Sequence, residues 1–212
     1  LLYQYSPNDI DFLIIDPKQT DFTFFEDLPN LYGGEVITDC EKALELIQQI
    51  NNIDKDERTN LLKCAKCKDI VSYNNQNPTS KIKRLVVIID EYSDLIATAD
   101  QNGTRKEFES VLNMLAQRVR NLGINLIVAP QRPSAKIVPG NIKANIPCRV
   151  SFRLASHTDS MTILDEPGAE DLLGKGDMII KTENSQDRLQ GLFITEQDLQ
   201  DFVAHYIEKY KS

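Results

Sequence analysis

The sequence predicts an α/β fold, a mostly parallel sheet with helices on both faces. Three observations predict it. Short, continuous apolar runs occur at Phe12–Ile15, Leu85–Ile89 and Ile124–Ala129, which is how strands buried on both sides read. Between them lie stretches of helical spacing, with apolar residues recurring every three or four positions. Strand and helix therefore alternate, which implies right-handed crossovers and parallel strands.

The elements follow in order. Phe12 to Asp16 reads as the first strand. Thr38 and Glu41 have the spacing of a capping box, and Ala43, Leu44, Leu46, Ile47 and Ile50 form the stripe of the helix that follows. A charged helical stretch runs on to about Cys67. Ser72 to Ser80, with Asn74, Asn75, Asn77 and Pro78, reads as a loop. Leu85 to Ile89 is the strongest strand. Arg105 to Leu122 reads as a long helix carrying Phe108, Val111, Leu112, Leu115, Ala116 and Val119 on one face, stopped by Gly123. Ile124 to Ala129 is the next strand. Further strands are expected at Arg149–Leu154, Met178–Lys181 and Leu189–Ile194. A last helix follows, capped by Thr195 and buried through Leu199, Phe202, Val203, Tyr206 and Ile207. The 212 residues are expected to form one compact domain.

Composition narrows the function classes. No apolar run approaches the length of a membrane-spanning helix. The first residues, Leu1 to Tyr5, lack the basic and cleavage regions of a signal peptide and read as part of a helix. Cys40, Cys64, Cys67 and Cys148 follow no secreted-framework pattern, so a reducing, cytoplasmic setting is expected. The formal net charge of −8 argues against a surface coated in nucleic acid. It leaves room for a channel whose loops alone are basic.

The chemistry centres on Asp90 and Glu91, two adjacent carboxylates closing an apolar strand. Ligands of open α/β sheets bind outside the carboxyl ends of the strands. There Asp90 can hold Mg²⁺ through its water shell and Glu91 can orient an attacking water. The same pair also suits a helix N-terminus, where carboxylates cap free N–H groups. Gln131, in Ala129-Pro130-Gln131-Arg132-Pro133 after the next strand, is expected on the same sheet edge. Its amide can contact a terminal phosphate or the water; a turn bounded by prolines is the plain alternative. Cys64-Ala65-Lys66-Cys67 has the spacing of half a zinc site or a redox pair, but there is no second CxxC. Structural cysteines are the favoured reading. Lys136, Lys143 and Arg149 could grip phosphates without reading sequence, or could be scattered surface charge.

Four segments resemble the FtsK/SpoIIIE family of DNA-translocating ATPases. They are Ile15-Asp16-Pro17-Lys18; VVIIDEYSDL at Val86 to Leu95; LAQRVRNLGINLIVAPQRP at Leu115 to Pro133; and the long stretch from Ile142 to Asp177. The resemblance implies a RecA-like P-loop NTPase core, ATP hydrolysed with Mg²⁺ between the subunits of a hexameric homo-oligomeric ring, and double-stranded DNA in the central pore. It makes Asp90 and Glu91 the Walker B pair, Gln131 the sensor, and Arg120 an arginine that reaches the neighbouring subunit's nucleotide. His157 stands where the family commonly has a nucleotide-facing lysine. Pro130 replaces a usual threonine, removing a hydroxyl and a backbone donor. No Gly-x-x-x-x-Gly-Lys-[Ser/Thr] loop occurs in the sequence, although the family carries it upstream of a helix like Leu1 to Tyr5. The chain is therefore expected to start after that loop, the alternative being that the protein has lost it, and alone to bind ATP poorly. The expected activity is a DNA-dependent ATPase acting as a DNA-pumping, helicase-like motor in segregation, conjugative transfer, or defence and restriction. A protein-secretion ATPase and an inactive structural module are the alternatives.

Overall fold

The computed structural model describes residues 1–118, 120–131, 133–134, 136–138 and 140–211, with the side chains of Arg118, Arg120 and Asn141 outside the description. The chain divides into two compact units, Leu1–Ala129 with Gln200–Ser212, and Pro130–Leu199.

The first unit is built on a three-stranded parallel sheet in the order β1 (Ile10–Ile15), β2 (Arg84–Asp90), β3 (Ile124–Ala129). Its register pairs Ile15 with Ile89, and Asp90 with Ala129. Successive strand residues point to opposite faces. Val86 and Val87 are both buried, so both faces of β2 are covered. On one face Ile10, Phe12, Ile14 and Val86 pack with Val36, Phe22 and Phe25. On the other, Leu13, Ile15, Leu85, Val87 and Ile89 are at most 1% exposed. This bears out the α/β class, with the parallel sheet limited to three strands among the described residues.

Helices fill the crossovers. α1 (Cys40–Gln49) is capped by Asp39, which accepts from Lys42 N at 2.8 Å, rather than by Thr38. It runs through a π-helical stretch, Ile50–Asp54, into α2 (Lys55–Cys64). The segment expected to be a loop from Ser72 begins as a helix, α3 (Ile70–Gln76). Its polar composition misleads because tertiary packing sets it. Asp69 caps it by accepting from Ser72 N, and Ile70 and Tyr73 join Leu62 and Leu122 in a buried cluster. Asn74 then closes the following turn by bonding both N and O of Ile82.

α4 (Tyr92–Gln101) follows β2, and α5 (Arg105–Arg118) buries Phe108, Val111, Leu112 and Leu115. Val119 lies outside the described residues. A 3-10 turn, Arg120–Leu122, leads to Gly123, whose φ is +70°. A Cβ there would stand 2.0 Å from Ile70 Cδ1, so glycine answers both to the backbone and to the close approach.

The second unit has α6 (Gly140–Asn145), α7 (His157–Leu164) and an antiparallel sheet in the order β4 (Arg149–Ser151), β5 (Asp177–Lys181), β6 (Gln186–Gln190). The strand expected at Leu189–Ile194 ends earlier, at Gln190. Its partner β5 starts at Asp177, and Gly174 and Gly176, with φ of +82° and +92°, turn the chain away before it. Leu192, Phe193 and Ile194 therefore have no ladder beside them and are 95%, 86% and 66% exposed. α8 (Glu196–Lys209) starts at Thr195, whose Oγ1 accepts from Asp198 N at 3.1 Å. No helix among the described residues is long and apolar enough to cross a membrane.

Candidate active site

Parallel register brings the ends of β1 and β2 side by side, so Asp16 and Asp90 each stand one residue beyond a paired isoleucine. Both are acidic, yet their surroundings differ. Asp16 is fully buried. Its Oδ1 accepts from the backbone N–H groups of Lys18 and Gln19 at 3.1 and 3.0 Å. Its Oδ2 accepts from Thr20, Asp21 and Phe22 at 3.0, 3.3 and 3.4 Å. One carboxylate thus organises the whole turn after β1, as an Asx-type side chain does when it replaces backbone partners.

Asp90 is half-buried, and among the described residues its Oδ2 is a buried atom with no hydrogen-bond partner. Burial pushes its carboxyl above the ordinary aspartate value, and the negative charges of Asp16 and Asp21 push it the same way. A buried anionic oxygen left without a donor is costly unless something else meets it. A hydrated cation fits this oxygen. The site can therefore accommodate Mg²⁺ at Asp90, whereas Asp16 has its oxygens occupied by the turn.

Glu91 is where the chain turns from β2 into α4. Its φ and ψ are 42° and 56°, a left-handed conformation that costs a non-glycine residue on the order of 1 kcal/mol. It occupies the N-cap position, but its side chain makes no capping hydrogen bond. This weighs against a purely capping role for Glu91. The residue is 2% exposed, and its Oε2 meets Lys18 Nζ at 3.1 Å. Lys18 also meets Asp94 Oδ2 at 3.3 Å. These two carboxylates raise the lysine's pKa, Glu91 through the larger contribution.

Asp16, Lys18 and Asp94 were not among the residues read as functional from sequence. The signal was present in Ile15-Asp16-Pro17-Lys18, an acidic residue closing the neighbouring apolar run with a lysine two positions on. Seeing its meaning requires knowing that β1 pairs with β2.

The remaining predicted residues are distributed as follows. Gln131 is exposed, in the second unit, two residues beyond Ala129, the register partner of Asp90. Arg120 opens the 3-10 turn before β3, and its side chain lies outside the described residues. His157 is the exposed first residue of α7, whose cap is Ser156. Lys136 is exposed. Lys143 and Arg149 are both engaged within the second unit. Lys143 Nζ donates to Thr162 O at 2.9 Å and pairs with Asp165 at 2.5 Å, and Arg149 pairs with the other Asp165 oxygen and donates to Ile163 O. Their side chains are about one-fifth exposed (19% and 20%), so they hold the C-terminal end of α7 rather than standing as free surface cations. Cys64 and Cys67 are free thiols, and no group of three metal-ligating side chains forms among the described residues.

Comparison with known proteins places the chain in a family and a fold. A sequence model of the FtsK/SpoIIIE family matches residues 1–135. The DNA translocase FtsK of Streptococcus agalactiae is 38% identical over 215 residues, covering 96% of this chain and 26% of that protein. The chain spans about a quarter of the length of the curated relatives it matches. Among solved structures, the pCW3 conjugation coupling protein TcpA with ATPγS is similar with a TM-score of 0.84 and 27% identity, over 100% of this chain and 58% of that one. The type VII secretion ATPase EccC of Thermomonospora curvata shares the fold, with a TM-score of 0.76 and 20% identity over 98% of this chain and 25% of that one.

Proposed function

The chain belongs to the FtsK/SpoIIIE family, and on that premise we propose that it is part of an ATP-driven motor that moves double-stranded DNA. The observation that carries the reading is the end of β2, where Asp90 offers a buried oxygen without a partner among the described residues and Glu91 sits in a strained turn without capping the helix. When bound, Mg-ATP supplies the phosphoanhydride whose cleavage drives movement. Asp90 would hold the metal through its water shell. Glu91 would polarise the attacking water and take up its proton. Asp16 supports both indirectly by fixing the turn beside them. Gln131, carried beyond β3, is proposed to sense the terminal phosphate, and Arg120 to act on a neighbouring subunit's nucleotide in a hexameric ring. His157 is retained as a nucleotide-facing candidate and Lys136 as a DNA-contact candidate. Lys143 and Arg149 are proposed phosphate contacts as well, alongside their structural pairs with Asp165.

The names of the 38%-identical relatives support DNA as the moved polymer. The likeness to a conjugation coupling protein makes DNA transfer between cells one setting for the motor; the likeness to EccC is one of fold alone. The test is ATP turnover of the intact polypeptide that carries this chain, measured with and without duplex DNA. Stimulation by duplex DNA, abolished by Glu91→Gln, is expected. Turnover that ignores DNA would favour protein export, and turnover that survives Glu91→Gln would defeat the site assignment. An absence of turnover under all conditions would favour a structural module.

A further inference from the structure

We infer that Lys18 is a positioning residue that restrains Glu91 through an ion pair across the ends of β1 and β2, and that Asp94 is the alternative acceptor onto which it can be released. The inference rests on the proposed role of Glu91 in activating water.

The Lys18 ammonium lies 3.1 Å from Glu91 Oε2 and 3.3 Å from Asp94 Oδ2. The two acceptors differ in setting. The Glu91 side chain is 3% exposed and that of Asp94 is 50% exposed, with Lys18 between them at 36%. Asp94 lies three residues along the same chain turn, and its N donates to Glu91 O at 2.9 Å, so both carboxylates are carried by the start of α4. Lys18 is carried by a different element. Its backbone N is tied to Asp16 Oδ1, within the turn that Asp16 organises.

A carboxylate that polarises water needs lone-pair electrons aimed at that water. An ammonium in contact with it engages those electrons in a charge-assisted hydrogen bond and competes with the water for them. The observed pair is therefore the arrangement in which Glu91 is held back. Lysine suits a reversible hold, since its ammonium is a compact charge on a flexible stem that can exchange partners without a fixed fork geometry. Moving to Asp94 keeps one ion pair while it withdraws the ammonium from Glu91. A shift of the turn after β1 would make that exchange, and this turn lies beside the strand end where nucleotide is proposed to bind.

The experiment measures ATP turnover of the intact polypeptide with and without saturating duplex DNA, for Lys18→Met, Lys18→Arg, Asp94→Asn and Glu91→Gln, with melting temperatures alongside. Lys18→Met is expected to raise DNA-free turnover about fivefold, the scale of losing one partly exposed ion pair, and to leave the DNA-saturated rate within about twofold. Lys18→Arg should restore the low DNA-free rate. Asp94→Asn removes the alternative acceptor at an exposed position, so it should lower DNA-free turnover and raise the DNA concentration needed for half-stimulation. A Lys18→Met protein that loses turnover in equal proportion with and without DNA would overturn the restraint and make Lys18 an orienting or structural residue. Unchanged turnover would overturn it too. If Lys18→Met does not fold, Asp94→Asn decides alone, and an unchanged or raised DNA-free rate there sinks the inference. Glu91→Gln separates the two levels. If it abolishes turnover while Lys18→Met fails to raise it, only the restraint falls; if turnover survives Glu91→Gln, the reading of the site itself falls.

Discussion

Asp16 and Asp90 stand next to each other at the ends of two parallel strands, yet the fold treats them in opposite ways. Asp16 is fully buried and its carboxylate accepts from five consecutive-turn N–H groups, of Lys18, Gln19, Thr20, Asp21 and Phe22. Asp90 keeps a buried oxygen without a donor among the described residues, and its carboxyl is held above the usual range. A structural carboxylate is satisfied by its own chain. Asp90, short of partners among the described residues, has the state expected of a carboxylate that a ligand completes, at some cost to the empty fold. Burial alone does not separate the two cases; hydrogen-bond accounting does.

Substitutions can break or sharpen this contrast. The largest effect is expected for Asp90→Asn on function. In the intact polypeptide, ATP turnover should fall on the order of 100-fold or more, since a metal-holding charge is lost with little change of shape. Steady-state turnover across a Mg²⁺ titration checks it, and a fall below tenfold would remove Asp90 from the metal site. Asp16→Ala should act on stability instead, costing about 3 kcal/mol because several charge-assisted hydrogen bonds to one buried carboxylate are lost together. Urea denaturation measures this; a loss under 1 kcal/mol would mean that the turn holds itself. Asp39, which accepts from the single N–H of Lys42 at the start of α1, offers a midpoint. Asp39→Ala should cost about 1 kcal/mol, the usual value of one N-cap, by the same measurement.

The smallest effect is also the most diagnostic. Because the fold raises the Asp90 carboxyl, ionising it favours the unfolded chain. Stability is thus lost as pH rises from the ordinary aspartate range up through the raised value, and the penalty stays constant above that. Without Mg²⁺, Asp90→Asn should melt slightly higher than the parent protein at neutral pH, and the difference should vanish in acid. A lower melting temperature at neutral pH would show that Asp90 is a structural carboxylate like Asp16.

Much of this was legible in the amino-acid sequence. The apolar runs at Phe12, Leu85 and Ile124 report strands buried on both faces, because such burial leaves no polar alternation. The pair Asp90-Glu91 at the end of the strongest run points to the proposed site because ligands of open α/β sheets bind outside the carboxyl ends of the strands, although helix capping suits the same pair. Less legible were elements whose shape depends on neighbours distant in the chain. α3 is polar by composition and helical through Ile70 and Tyr73 packing on Leu62 and Leu122. The strand expected through Ile194 stops at Gln190 because its partner turns away at Gly176. Lys143 and Arg149 look like free cations until Asp165 is found beside them.

The sequence by itself determined the fold class, the family, and which strand end carries the carboxylate pair, because these depend on local pattern along the chain. Only the tertiary structure decided which carboxylate is satisfied by its own turn and which keeps an oxygen without a donor among the described residues. Strand pairing brought Asp16 next to Asp90; the turn after β1 satisfies the first from within its own segment, while among the described residues an oxygen of the second has no donor. Strand pairing also set Lys18 against Glu91 across 73 positions of chain. The meetings of Asp16 with Asp90 and of Lys18 with Glu91 are facts of register and burial, and no single segment contains both partners.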